Sequence, residues 1–301
     1  MGGGGAGDDG GGGGADEGGG GGALSVTFTI LLGMDGHWLS SRVVNAAPAA
    51  QDLLDALAVD DPTNSLWSLC DSGRMEDIAP EILLLRMEQD PIHRHKDVLS
   101  HTIAVTAKTR PDPVIRLAAL FHDVGKPKTR RIDDEGVTFR HHEAVGARMV
   151  RKRLKALEFD EDVIEEIAEL VRLSGRFKGY SDGWSDAAVR RYARDAGALL
   201  PSLNHLIRCD CTTRNARKLE GIQQAMDDLE RRIGELAEAD RLAAERPDMN
   251  GDDVMAYLDL PPGPLVGQAT KMLLEVKRAE GSLPREELEA RLDAWYENTK
   301  A

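Results

Sequence analysis

His122 and Asp123 stand side by side at the end of an apolar run, Leu117-Ala118-Ala119-Leu120-Phe121-His122-Asp123-Val124-Gly125-Lys126-Pro127. Imidazole nitrogens and carboxylate oxygens are common protein ligands of divalent cations. A helix that only packs would end on Leu or Ala. This one ends on two metal-binding side chains, just before a helix-terminating Gly and a Pro. Two more such residues lie on separate apolar segments. On a helix, His101 shares a face with Val98 and Val105, and Asp210 continues the stripe of Leu203, Leu206 and Ile207. Taken alone, His101 also reads as a core histidine bonded to a backbone carbonyl, and Asp210 as half of a salt bridge to an Arg. A buried carboxylate needs a cation or donors close by. Together, two imidazoles and two carboxylates converging from three helices fit one hard-to-borderline divalent ion.

The elements that must position them are helical. Of 301 residues, 41% are hydrophobic but only 4% aromatic, so Leu, Val, Ile and Ala fill the core, which favours helices over a β-sandwich. Apolar periodicity predicts short helices at 50–58, 63–72 and 76–88, then helices at about 96–107, 112–123, 142–157, 161–173 and 184–195. Further helices are predicted at 202–220 and 222–244, either separate or one helix broken near Gly221, and at 265–279 and 284–297. Pro111 and Pro113 hold the start of the 112–123 helix, and Asn250-Gly251-Asp252-Asp253 is a start signal. A small hairpin is expected at 130–140, over an acidic-Gly turn. Residues 23–47 alternate as a hairpin would, or remain unstructured.

The expected organisation is a disordered Gly-rich leader (1–22), an N-terminal segment (23–62), a helical lead-in (63–90), the main helical domain (91–245) and a helical tail (246–301). The leader holds 15 of the 31 glycines and almost nothing apolar, too little to offset the entropy of ordering. The net charge of −14 argues against whole-surface attraction to nucleic acid, so RNA binding would need a local basic patch. Cys70, Cys209 and Cys211 form no CxxC pair and read as reduced thiols of a cytoplasmic protein. No secretory signal or membrane span is visible, and no membrane partner is expected.

The order His…His-Asp…Asp, with Gly125-Lys126-Pro127 behind the doublet, resembles the HD superfamily of metal-dependent phosphohydrolases. The resemblance implies an all-α HD-domain bundle in which His101, His122, Asp123 and Asp210 hold a divalent metal (Mg, Mn, Ni, Co or Zn). Five strings in order sharpen it: His93-Arg94-His95-Lys96-Asp97, Phe121 to Pro127, Val137 to Glu143, Asp210 to Asn215, and Pro262 to Gly267. Over roughly residues 63–298 the chain resembles the C-terminal two-thirds of actinobacterial-type CCA-adding tRNA nucleotidyltransferases. That family's nucleotidyltransferase head needs a Gly-Ser turn and a strand carrying Asp-x-Asp to hold two metals. The only Asp-x-Asp here, Asp160-Glu161-Asp162, follows the doublet and opens a helix as an N-cap cluster. By itself the chain is therefore not expected to add nucleotides. The Gly-rich leader joined abruptly to helical sequence also reads as a truncated or wrongly started product. Related proteins carry histidines near Ser174 and Lys178; their loss leaves His142, ahead of His141, as the extra metal candidate.

The reaction so implied is hydrolysis of a phosphomonoester or 2′,3′-cyclic phosphodiester of nucleotides or RNA ends. Asp123 would orient the attacking water or take its proton, and Lys126 would meet a phosphate oxygen, aided by Arg130 and Arg131 or else solvated with them. On the 142–157 helix, Arg148, Arg151, Lys152 and Lys155 form a basic face suited to RNA or simply to solvent, with Arg190, Arg191, Arg214, Arg217 and Lys218 downstream. The alternative function is the tRNA-binding body and tail of a CCA-adding enzyme, working with a nucleotidyltransferase head on a separate chain.

Overall fold

The computed structural model describes residues 24–27, 43–88, 97–133, 136–213 and 215–300. The expectations for the leader, for His93 to Lys96, for Asp134 and Glu135 and for Arg214 lie outside them. The described chain is all-α apart from two small strand pairs. β1 (Leu24–Thr27) and β2 (Val43–Ala46) pair antiparallel, Leu24 opposite Ala46, which for these ends agrees with the hairpin reading of 23–47 rather than the unstructured one. Next come α1 (Gln51–Ala58), α2 (Thr63–Asp71), α3 (Arg74–Ile78) and α4 (Pro80–Leu83). The single helix predicted at 76–88 is thus divided, because Pro80 opens a new helix rather than continuing one.

α5 (Val98–Lys108) and α6 (Pro113–Phe121) follow. Each starts on an aspartate that accepts from free backbone N–H groups, Asp97 from Ser100 and Asp112 from Val114 and Ile115. α7 (Lys126–Thr129) leads into the hairpin of β3 (Arg131–Asp133) and β4 (Gly136–Thr138). Then come α8 (His142–Ala156), α9 (Glu161–Leu173), α10 (Asp186–Ala196), α11 (Leu200–Asp210), α12 (Ala216–Ala244), α13 (Gly251–Leu258), α14 (Pro264–Glu280) and α15 (Arg285–Lys300). The break expected near Gly221 falls instead at 211–215. α11 ends on Asp210, Cys211 is extended (φ −74, ψ 99), and α12 runs unbroken through Gly221. Asp160 does occupy the N-cap of α9, but its carboxylate accepts from Asn45 Nδ2 at 2.7 Å and makes no cap bond.

The described residues form two compact units. The first comprises those of Met1–Trp184 and Arg191–Asp227, the second those of Ser185–Arg190 and Asp228–Ala301. At the centre of the first lies α6, all nine of its residues buried, packed by α1, α5, α9 and α11. A helix apolar all round must be enclosed on every side. Its one charged residue, Arg116, is 1% exposed and donates to the carbonyls of Leu57 and Val59 and, at 2.8 Å, of Asp60. It thereby satisfies carbonyls in the last turn of α1 and just beyond it that would otherwise be orphaned. In the second unit, Val254, Val266, Ala269, Leu273, Leu288 and Leu292 form the core of α13–α15. α13 opens with the predicted start signal, where Asn250 and Asp253 each accept from the other's backbone N–H.

Candidate metal centre

Because α6 is enclosed, whatever ends it is fixed from all sides. His122 is its C-cap residue, and its Nδ1–H donates to the Ala119 carbonyl at 2.7 Å, one of the last-turn carbonyls without a helical partner. That bond sets the tautomer and turns the Nε2 lone pair outward. His122 Nε2 lies 3.3 Å from Asp123 Oδ2 and 3.4 Å from Asp210 Oδ1, yet it is buried with no aligned hydrogen-bond partner among the described residues. A lone pair facing two carboxylates has only acceptors around it. A proton or a metal cation reconciles them.

The remaining side chains close on the same point. From α5, His101 Nε2 is 2.9 Å from Asp210 Oδ1 and 3.8 Å from Asp123 Oδ2, while its Nδ1 meets Thr212 Oγ1 at 2.9 Å. The rings of His101 and His122 meet edge to face, centroids 5.4 Å apart. One ligand atom each from His101, His122 and Asp210 fall within 4.8 Å of one another, a span one ion can bridge. On the far side, His142 opens α8, bonds Phe139 O through Nδ1 at 2.8 Å, and brings Nε2 to 3.5 Å from Asp123 Oδ1. The sequence singled out the four central residues and His142. It did not find Thr212, which follows the end of α11: the helix stops at Asp210, the chain turns extended at Cys211, and Thr212 Oγ1 reaches His101 Nδ1.

Electrostatically the site is a sink for positive charge. Burial opposes a charge on His122, but Asp123 and Asp210 hold the proton and push its pKa up to about 10. Burial likewise opposes ionisation of Asp123 and Asp210, and the imidazoles overcome it, holding both carboxyls well below their usual range. A divalent cation supplies the same charge without protons, and the two-nitrogen, two-carboxylate donor set suits one. Lys126 is not on a solvated loop. It is 8% exposed, its Nζ 2.7 Å from Asp123 Oδ2 and 5.6 Å from the Phe139 ring centroid.

These groups line a cavity of about 470 Å³ together with Arg140, His141 and Glu143. Ser174 and Lys178 also line it, with Ser174 bonded to Val171 O and Lys178 3.1 Å from Glu143. Arg130 and Arg131 are not among its lining residues. Two glycines set the approach of α8. A Cβ at Gly125 would lie 2.1 Å from the His142 carbonyl oxygen and 2.8 Å from the Gly146 nitrogen, and one at Gly146 would meet Val171 and Val124. Gly125 has φ −79, so the sequence reading of a helix-ending glycine is corrected: its role is close backbone approach, not a left-handed turn.

On the outer face of α8, Arg148, Lys152 and Lys155 are exposed and make no ion pair among the described residues. Arg151 differs, pairing with Glu165 at 2.7 Å and Glu169 at 3.2 Å. No helix among the described residues is long and apolar enough to cross a membrane.

Residues 98–245 match a family described as the HD domain. The CC-adding tRNA nucleotidyltransferase of Thermus thermophilus is 37% identical over 227 residues, covering 72% of this chain and 49% of that protein. The A-adding tRNA nucleotidyltransferase of Deinococcus radiodurans is 32% identical over 214 residues, covering 68% of this chain and 48% of that protein. The chain thus spans about half the length of the curated relatives it matches.

Proposed function

Residues 98–245 are an HD domain, and from that premise we propose that the chain is a divalent-metal-dependent phosphohydrolase acting on nucleotides or RNA ends. His101, His122, Asp123 and Asp210 are the proposed ligands, with His142 approaching Asp123 from the other side. The observation that carries this reading is His122 Nε2, buried and aimed between two carboxylates at the floor of an open cavity. A bound divalent ion supplies Lewis acidity there, lowering the pKa of water from about 15.7 towards about 7 and neutralising phosphate charge.

The chain's own groups do the rest. Asp123, kept ionised by its neighbours, orients the attacking water. Lys126 fixes that carboxylate and presents its ammonium to a phosphate oxygen within the same cavity. Thr212, Ala119 and Phe139 fix the three imidazoles. Water attacks phosphorus, the ester P–O bond breaks, and the proton that water gives up goes to the departing oxygen, which is released as an alcohol from a monoester and stays on the ribose of a cyclic diester. Turnover of a phosphomonoester or a 2′,3′-cyclic phosphodiester should require added divalent metal and stop with chelator. Alanine at His122 or Asp123 should abolish it, and undiminished turnover in either variant overturns this reading.

A second reading, not exclusive of the first, is a tRNA-holding body and tail that does not add nucleotides alone. It is favoured by the identity to the CC-adding enzyme and by the exposed charges of Arg148, Lys152 and Lys155. Arg151 stays a candidate only if tRNA displaces its glutamates. Retardation of tRNA by the chain, weakening steeply with salt, is the expected result; no retardation, or a flat salt response, removes this reading.

A further inference from the structure

A second cavity, of about 660 Å³, adjoins the metal centre and shares Ser174, Lys178 and Asp210 with it. Its walls differ in kind from the first. On one side is Phe177, half-buried, its ring stacked on buried Tyr180 with centroids 5.5 Å apart and planes 19° from parallel. Tyr180 is braced in turn by Trp184, and Trp184 by Tyr192, so the Phe177 face rests on an aromatic row rather than on a mobile loop side chain. Opposite lies one face of α12, where Lys218, Gly221, Ile222 and Ala225 recur at helical spacing. The floor is the extended segment after Asp210, with the hydroxyl groups of Thr212 and Thr213.

Gly221 is informative because nothing in its surroundings demands a glycine. A Cβ there would meet no atom within 4 Å, and glycine is a poor residue for a helix interior. What the missing side chain leaves open is this cavity. An apolar chamber with one aromatic wall and a few hydroxyl and ammonium groups suits a flat heterocycle carrying a polar sugar. A lone phosphate has no use for it.

We infer that this second cavity receives the nucleoside of the substrate, its base against Phe177 and its ribose towards Thr212 and Thr213, while the phosphate lies across Asp210 in the first. The inference rests on the hydrolase reading for the phosphate but stands on its own walls for the nucleoside. Within the proposed class of nucleotides and RNA ends, the base and ribose are thereby given a site of their own, and simple phosphomonoesters that lack a nucleoside become poor substrates.

Cys211 offers a readout independent of turnover. It lines this cavity and is partly exposed, whereas Cys70 and Cys209 are buried. In the full-length chain, saturating adenosine should slow iodoacetamide alkylation of Cys211 at least fivefold, and inorganic phosphate should not. Gly221→Phe, which fills the cavity without backbone strain, should abolish the protection, and Ala225→Leu should do the same from the next turn. In parallel, Gly221→Phe should raise KM for adenosine 3′-phosphate at least tenfold more than for glycerol 2-phosphate. Hydrolysis of both esters with no protection by adenosine, or equal protection by phosphate, overturns the nucleoside cavity. Protection by adenosine with no hydrolysis of either ester or of adenosine 2′,3′-cyclic phosphate keeps the cavity and refutes the hydrolase.

Discussion

Gly125→Ala adds one methyl group beside the metal centre without touching a ligand. Its backbone torsions (φ −79, ψ −16) are open to alanine, so the change alone should stabilise by about 0.4–1 kcal/mol through the unfolded chain. Against that stands the contact. The new Cβ would lie 2.1 Å from the His142 carbonyl oxygen and 2.8 Å from the Gly146 nitrogen, both backbone atoms that no rotamer change can move. Restoring ordinary contact requires α8 to retreat by about 1.4 Å, since non-bonded atoms settle at about 3.5 Å. Overpacking costs about 1–3 kcal/mol, and obstruction by backbone belongs at the upper end. The net expectation is a loss of about 2 kcal/mol. With a urea slope of about 1–3 kcal/mol/M, the midpoint of the first unit falls by roughly 1 M.

The same retreat draws His142 away from Asp123, across a gap already 3.5 Å. Affinity for Co²⁺ or Ni²⁺, titrated calorimetrically, should fall by about 10–100-fold, as when an outer partner of a metal site is lost. An alanine variant as stable as the parent, with metal affinity within twofold, would refute the claim that close approach of α8 completes the centre.

Thr212→Val removes the partner of His101 Nδ1 and should weaken metal binding by about 10–100-fold while leaving the far-ultraviolet spectrum unchanged; equal affinity would mean that His101 needs no orientation. Arg116→Met strips three carbonyls of their donor, and denaturation should show about 3–5 kcal/mol lost from the first unit, with a loss under 1 kcal/mol contradicting this. Metal at about 100 times its Kd should raise stability by about 2.7 kcal/mol, reversed by chelator; a midpoint indifferent to metal would deny a native-state site. Replacing Arg148, Lys152 and Lys155 together by Glu should flatten the salt dependence of any tRNA retardation, and an unchanged slope would clear this face of phosphate contacts.

Much of this was written in local order. The doublet closing an apolar run, and His101 and Asp210 each continuing a helical stripe, are legible because a titratable side chain on an apolar face is costly unless it is partnered, although Asp210 proves only partly buried. Helix starts at Asn250 and at the Pro113 turn are likewise local, since a cap satisfies N–H groups two or three residues away.

Other features were decided only when the helices packed. Gly125 looks like a helix stop in the sequence, yet its function is to let another backbone pass, a contact between residues 125 and 142 that no local pattern encodes. In the sequence Lys126 fits either a phosphate contact or a solvated loop, and the solvated reading ends once Phe139 covers it and Asp123 binds it. Arg151 reads as one of four equal charges until α9 brings Glu165 and Glu169 alongside. Residue type and spacing thus determined what chemistry the chain can perform, because acidity and ligand preference belong to side chains. Tertiary structure decided which charges remain available for it, because pairing, burial and close approach exist only between segments distant in the sequence.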